Sequence, residues 1–436
     1  MSGKAIITNR IFFKYKDSAH LKELIAELTY SIEKKATGKS ARFNKVEVIK
    51  NYKLLPNGVI SIPQGRQDLI PEGYIVEDRR VTHDVPFPKP KHALREAQLP
   101  VFNSVDESCF INAKVGWGKT FTALYIAMKL GQKTLVVTHT TMLRDQWIEE
   151  VKNLFGFSPG IIGSSKFDIE DHFIVVGNVQ TVTKHIDKIS KEFGLVILDE
   201  AHHCPATTFS NIIDGMHARY RIGLSGTMLR TDGKHIIFKD YFGPIVHQPP
   251  KSDTVDPVIK IIKTGVQILP GQSYVEKVNS ILYDEEYQEF IANLAKARIA
   301  AGHFVLIAAA RVEFLSRVKE LIGEDCVLIT GESPATYEER KALLERVEAK
   351  EARCIAGSIQ IFSEGISVNI LSCLIPPVPI TNPITLEQLI GRVQRLHPDK
   401  LSPEVYDFQF SGPTERKNNA TREGFYLGNG WKIQKI

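Results

Sequence analysis

Five short apolar runs constrain the fold more than anything else in this sequence: "SCFINA" (108–113), "KTLVVTH" (133–139), "HFIVVGN" (172–178), "GLVILDE" (194–200) and "YRIGLSG" (220–226). Each has the length of a strand, and helical patterns such as "TMLRDQWIEEVKNLF" (141–155) fall between them. A strand apolar along its whole length needs cover on both faces, so the alternation predicts a parallel sheet with helices on each side. The pattern then repeats. "HFVLIAAA" (303–310), "DCVLITG" (325–331), "RCIAGSI" (353–359) and "SCLIPPV" (372–378) alternate with "VEFLSRVKELIG" (312–323) and "YEERKALLERVEAKE" (337–351).

The first 88 residues read differently. "AIITNRIFFKY" (5–15) is a strand pattern, and "SAHLKELIAELTYSIEK" (18–34) is read as one amphipathic helix. "VEVIKNYKLLPNGVISIP" (46–63) is read as two strands joined by the turn Pro56-Asn57-Gly58. "VPFPKPKH" (85–92) carries three prolines, which bar a helix or a central strand and predict a stiff linker. The predicted class is therefore α/β: a small basic α/β domain over 1–88, then two tandem parallel-sheet domains over 89–250 and 251–436.

Composition excludes little. With 43% hydrophobic and 24% charged residues the chain has ordinary globular usage, and no apolar run reaches bilayer-spanning length. The start has no signal-peptide pattern, so a cytoplasmic location is expected. The five cysteines form no C-x-x-C pair. A net charge of +5 permits a nucleic-acid partner without demanding one, and the distribution says more. Along 33–45, Lys34, Lys35, Lys39, Arg42 and Lys45 meet only Glu33. A solvated loop and a phosphate-contacting segment both fit that run.

In open sheets of this kind, ligands gather beyond the carboxyl ends of the strands. "AKVGWGKT" (113–120) stands at such an end, with a strand before it and the helical pattern "TFTALYIAMKLG" (120–131) after it. That context predicts a phosphate loop. The backbone of Val115, Gly116, Trp117 and Gly118, and the helix start at Phe121, would face the phosphates. Lys119 would reach the β- and γ-phosphates and the Thr120 hydroxyl would bind Mg²⁺. Ala113 replaces the first glycine of the motif, and Trp117 has no specific role. "LVILDEAHH" (195–203) ends another strand with Asp199, expected to hold Mg²⁺, and Glu200, expected to orient or deprotonate the attacking water. His202, His203 and Cys204 are adjacent and cannot easily converge on one tetrahedral zinc.

"QLIGRVQR" (388–395) places Arg392 and Arg395 three apart, which on a helix puts them on one face with Gln388. Guanidinium groups suit phosphate, and a nucleotide held by Lys119 and Thr120 needs cations for the charge developing at its γ-phosphate. Such arginines supplied by the last domain would make hydrolysis depend on domain closure.

The ordered set "LREAQ" (94–98), "AKVGWGKT", "HTTMLRDQW" (139–147), "GNVQT" (177–181), "LDEAHH", "GLSGTMLR" (223–230), "FSEGISV" (362–368) and "QLIGRVQR" resembles the superfamily 2 helicases over about 91–400. "GLSGTMLRTDGK" and "LRDQW" are closer to the branch containing XPB and UvsW than to the DEAD-box RNA helicases. The block at 1–88, with "LPNGVISIPQGRQDLIP", looks like the amino-terminal domain of UvsW-type phage proteins. The resemblance extends to phage branch-migration helicases such as those of T5-like phages.

This resemblance implies two tandem RecA-like domains, ATP and Mg²⁺ as cofactors, and DNA as partner. It implies adenine contact by Gln98 with Arg95, and coupling of the nucleotide site to the track by His202, Ser225 and Thr227. Gly365 would contact nucleotide and strand, Gln388 would position water, and Arg392 and Arg395 would act as fingers. Backbone contacts to the tracked strand would come from His139, Thr140 and Arg144, and from Asn178, Gln180 and Thr181. Ser367 stands where many relatives have Asp, so a ribose contact there is not implied. The reading is an ATP-driven DNA motor remodelling forked or branched duplexes. An RNA helicase and a nucleotide-dependent clamp without productive unwinding are the alternatives.

Overall fold

The structure is a computed structural model describing residues 3–34, 45–114, 116–201, 206–226, 234–250, 254–268, 271–331, 337–364, 366, 368–412 and 414–436. It divides into two compact units, Met1–Ser252 and Asp253–Ile436.

Within the first unit, residues 1–88 form a five-stranded sheet in the order Lys53–Leu55, Val59–Pro63, Arg10–Lys14, Lys4–Ile7, Ile75–Asp78. The helix Ser18–Glu27 covers it, started by Asp17, whose side chain accepts from the His20 N–H. Leu24 and Leu28 of this segment join Ile7, Ile11, Phe13, Ile60 and Ile62 in one core. The helix is shorter than the sequence reading had it. Thr29–Lys34 is instead a strand, paired antiparallel with Lys45–Lys50 in register Thr29↔Lys50 to Lys34↔Lys45. Thr29, Tyr30 and Ile32 favour that state, since β-branched and aromatic side chains fit a pleated ribbon better than a helix. Lys35, Lys39 and Arg42 lie outside the described residues.

A buried polar network ties this block to the larger sheet. Asp240, fully buried, accepts from Tyr30 Oη at 2.9 Å, Asn51 Nδ2 at 2.7 Å and Arg66 Nη1 at 3.4 Å. Arg10 Nη1 meets Asp214 Oδ2 at 2.6 Å. Buried, paired charges of this kind are costly to break, which argues that the block moves with the sheet it is fastened to. The proline segment 85–92 forms neither helix nor strand, and it is packed down: Phe87 lies tilted against Phe155 and Phe173, and the Lys91 N–H donates to Leu154 O at 2.8 Å.

The larger sheet of the first unit runs Lys166–Asp168, Gly160–Gly163, Ile174–Asn178, Thr134–Thr138, Leu195–Leu198, Tyr220–Ser225, Cys109–Asn112, Val246–His247. All pairings are parallel except the hairpin Gly160–Gly163 with Lys166–Asp168. Successive residues serve opposite faces: Val136 and Ile197 enter one core, Leu135, Val137, Val196 and Leu198 the other. That is why these strands read as unbroken apolar runs.

The second unit holds a seven-stranded, wholly parallel sheet in the order Cys326–Ile329, Cys354–Ser358, Val305–Ala309, Cys373–Ile375, Glu404–Ser411, Val258–Gln267, Lys432–Lys435. The end of the chain belongs to this body. The helix Glu415–Gly428 is fastened by Arg422, whose Nε and Nη2 reach Asp407 at 2.9 and 2.7 Å, and Tyr426 Oη donates to the same carboxylate at 2.8 Å. No described helix is long and apolar enough to cross a membrane.

Candidate nucleotide and nucleic-acid sites

The parallel strands of the first unit end at one rim, and the glycine-rich loop 113–120 and the carboxylates Asp199 and Glu200 are found there. Cys109–Asn112 leads into the loop, and the helix Lys119–Leu130 leaves it. Gly116 and Gly118 have φ of 87° and 91°, and Gly118 is the helix N-cap with no side-chain cap bond. The first-turn N–H groups are thus left to an anion, which the helix dipole favours. A Cβ at Gly118 would meet the Gln98 amide, and the positive φ strains any other residue there. Ala113, in place of glycine, is buried and outside the positive-φ set, and its N–H donates to Ser225 O at 3.0 Å. The substitution is tolerated because this position pairs like a strand.

Gln98 is buried and clamps the loop. Its Nε2 lies 3.1 Å from Trp117 O and 3.3 Å from Gly118 O, while its Oε1 accepts the Arg95 N–H at 2.9 Å. Arg95 Nη2 donates to the Trp117 carbonyl and to Gly116 O at 3.2 Å. Trp117 itself is anchored in the core. Thr120 and Phe121 are partly exposed in the first turn. Val115 lies outside the described residues.

Lys119 Nζ donates to Ala113 O at 3.0 Å and stands 3.8 Å from Glu200 Oε1. Asp199 is 4% exposed, and its Oδ2 accepts from Trp147 Nε1 at 2.7 Å while its Oδ1 accepts the Glu200 N–H at 2.9 Å. Burial pushes the Asp199 carboxyl up to about 6, and the neighbouring Glu200 adds to the rise; Trp147 and Lys119 oppose it. Glu200 has φ of 46°, a strained backbone for a non-glycine residue. A carboxyl so buried beside a second acid is the donor a cation would hold ionised. Mg²⁺ asks for only one or two protein oxygens beside phosphate and water, which Asp199 and Thr120 can supply. Trp147 was missed in the sequence; it sits in "LRDQW", but nothing local marks it as a partner of a residue 52 positions away.

The strands Thr134–Thr138 and Ile174–Asn178 are neighbours, so their following segments also meet. Gln180 Nε2 reaches His139 O at 3.5 Å, and Gln180 is exposed, with His139, Thr140 and Thr181 partly so. Thr140 Oγ1 caps the helix Thr141–Phe155. Arg144 is placed otherwise than expected. It is 6% exposed, and its guanidinium is bound by Asp145 at 2.7 Å, Ser164 Oγ at 2.8 Å and Asn178 Oδ1 at 3.1 Å. Arg144 and Asn178 form an internal strut beneath the exposed segment. Ser225, buried, closes the strand beside the loop. His202 and Thr227 lie outside the described residues, and Lys34 is in the ribbon strand Thr29–Lys34.

In the second unit the helix Pro383–Val393 carries Gln388 and Arg392, both buried. Arg392 Nε donates to Phe362 O at 2.7 Å and Nη2 to Ser363 O at 2.8 Å. Arg395 does not share its helical face. The helix ends at Val393, and Arg395 lies beyond the Gln394 C-cap with Nη1 at 3.3 Å from Asn369 Oδ1. Pro398 follows closely and the chain there pairs with Thr254, which stops the helical pattern short. Gly365 and Ser367 lie outside the described residues. A cavity of about 490 Å³, which sequence reading did not locate, opens at the carboxyl ends of this sheet beside Ala309, Ser358, Ser363, Thr381, Asn382 and Thr385.

Comparison with known proteins fits this arrangement. A family model described as "Type III restriction enzyme, res subunit" matches residues 86–230. The "Probable helicase D10" of Escherichia phage T5 is 40% identical over 98% of this chain and 95% of its own. The chain belongs to the superfamily 2 helicases. This helicase also resembles the "ATP-dependent DNA helicase uvsW" of Enterobacteria phage T4, at 26% identity over 67% of this chain and 62% of that one. Among solved structures, S. cerevisiae Dbp5 bound to RNA and ADP BeF3 has a TM-score of 0.57 at 12% identity, covering 78% of this helicase and 89% of Dbp5. That likeness is one of fold: two RecA-like domains. Membership makes the protein an ATP-dependent nucleic-acid helicase.

Proposed function

We propose that the protein is an ATP-driven DNA translocase that remodels forked or branched duplexes. The observation that carries the reading is the joining of Lys119, Asp199 and Glu200 at one uncapped helix N-terminus, with Asp199 oriented by Trp147. In this reading Lys119 and the loop N–H groups hold the phosphates, while Thr120 and Asp199 hold Mg²⁺, which when bound neutralises phosphate charge. Glu200 orients or deprotonates the attacking water. Arg392 and Arg395 supply positive charge to the γ-phosphate once released from their present carbonyl and amide partners. The partly exposed His139, Thr140, Gln180 and Thr181 take the tracked strand through its phosphates, which suits a motor that steps over any sequence. The basic run Lys34–Lys45 adds salt-sensitive duplex contact.

DNA as substrate is supported by the T4 relative, whose name calls it a DNA helicase. The test is ATP hydrolysis and strand displacement on linear, forked and four-way DNA and on matched RNA. Stimulation greatest with forked or four-way DNA is expected. Equal or greater stimulation by RNA overturns the DNA assignment, and turnover without displacement overturns the motor.

A further inference from the structure

The helix bearing Arg392 ends at Val393, and its last carbonyls need partners from elsewhere in the chain. Two donors supply them. Lys400 Nζ lies 2.7 Å from Val393 O and 2.8 Å from Leu371 O. The Val255 N–H donates to Gln394 O at 2.9 Å, and Thr254 forms an antiparallel bridge with Arg395 itself. Thr254 and Val255 are the first described residues of the second unit. Burial, together with the Arg395 guanidinium, pulls the Lys400 ammonium down to about 8. Its bond to Val393 O, at a helix end where partial negative charge collects, and its bond to Leu371 O offset the cost of keeping two cations close. Because Arg395 stands outside the helix, helical geometry alone does not aim it; these tertiary contacts do.

We propose that Lys400, together with the Thr254–Val255 backbone, is a positioning element for Arg395, acting on ATP turnover without touching the nucleotide. The inference rests on the proposed reading of Arg395 as a donor of charge to the γ-phosphate. Lys400 acts by tying the Val393 carbonyl, two residues before Arg395, to the Leu371 carbonyl, so its loss frees the arginine backbone rather than weakening nucleotide binding.

The experiment measures nucleic-acid-stimulated ATP turnover in the full chain for Lys400→Met, Lys400→Arg, Arg395→Ala and the Lys400→Met/Arg395→Ala double variant. Methionine keeps the length of the stem and removes the charge. Lys400→Met is expected to lower kcat by at least about tenfold with KM for ATP changed by no more than about twofold. Lys400→Arg should recover most of the loss, and the double variant should be no slower than Arg395→Ala alone. If Lys400→Met does not fold, as judged by its melting profile, Val255→Pro removes the other donor and enters the same cycle. Wild-type kcat in Lys400→Met, or an undiminished further loss on the Arg395→Ala background, overturns the proposal. Wild-type turnover in Arg395→Ala fails the reading of Arg395 first, whereas a slow Arg395→Ala beside a normal Lys400→Met fails the positioning role alone.

Discussion

The indole N–H of Trp147 donates to Asp199 Oδ2 at 2.7 Å, and both groups are buried. With the Glu200 N–H on the other oxygen, the carboxylate plane is fixed before any cation arrives. Trp147→Phe keeps the ring in the core and removes only the donor. It is expected to raise the Mg²⁺ concentration for half-maximal ATP turnover and to lower kcat by about 10–100-fold, as loss of outer-shell support does at other metal sites. An unchanged Mg²⁺ requirement would remove Trp147 from the site.

Lys119→Ala removes the ammonium now held by Ala113 O and placed near Glu200. ATP turnover should vanish while nucleic-acid binding without nucleotide persists. A filter-binding titration beside a phosphate-release assay separates the two; turnover at the normal rate contradicts the loop assignment.

Arg392 is engaged with the Phe362 and Ser363 carbonyls, so it must exchange partners to act on phosphate. Arg392→Ala should keep the KM for ATP within a few-fold and lose about 10³-fold or more in kcat. Single-turnover kinetics make the distinction. A variant losing affinity instead of rate would show that the arginine serves the helix packing alone.

Arg144 offers a different kind of test, because a phosphate contact and an internal strut respond differently to salt. Held by Asp145, Ser164 and Asn178, it should act as a strut. Arg144→Ala is expected to weaken DNA binding with the slope of log affinity against log salt unchanged. Loss of a phosphate contact would make that slope shallower by about one unit.

Glu404 shows how the second sheet depends on pH. Burial pushes its carboxyl up, but the Lys260 ammonium at 2.6 Å and the neighbouring His303 and Arg298 outweigh it, leaving the carboxyl below its ordinary range. A depressed carboxyl contributes stability that is present above the ordinary range and lost as pH falls through the lower folded value. The melting-temperature gap between the wild type and Glu404→Gln should therefore be widest near neutrality and close in acid. A gap that widens on acidification would reverse the sign of this interaction.

The sequence alone determined the parallel-sheet class, the glycine-rich turn from strand to helix at 113–120 and the acidic strand end, because each is encoded by neighbours in the chain. Apolar runs fix buried strands, and Gly116, Gly118 and Lys119 act through backbone conformation and one adjacent side chain. Where local preference was weak, it misled. Thr29–Lys34 continued a helical pattern but became a strand once Lys45–Lys50 was there to pair with it. The spacing of Arg392 and Arg395 promised one face, yet the second arginine lies past the helix end, bridged to Thr254. Only the tertiary structure decided that Arg144 turns inward, that Trp147 meets Asp199, and that the chain end completes the second sheet. Those contacts join residues far apart in sequence, and packing selects them only after the strands have brought their carboxyl ends to a common rim.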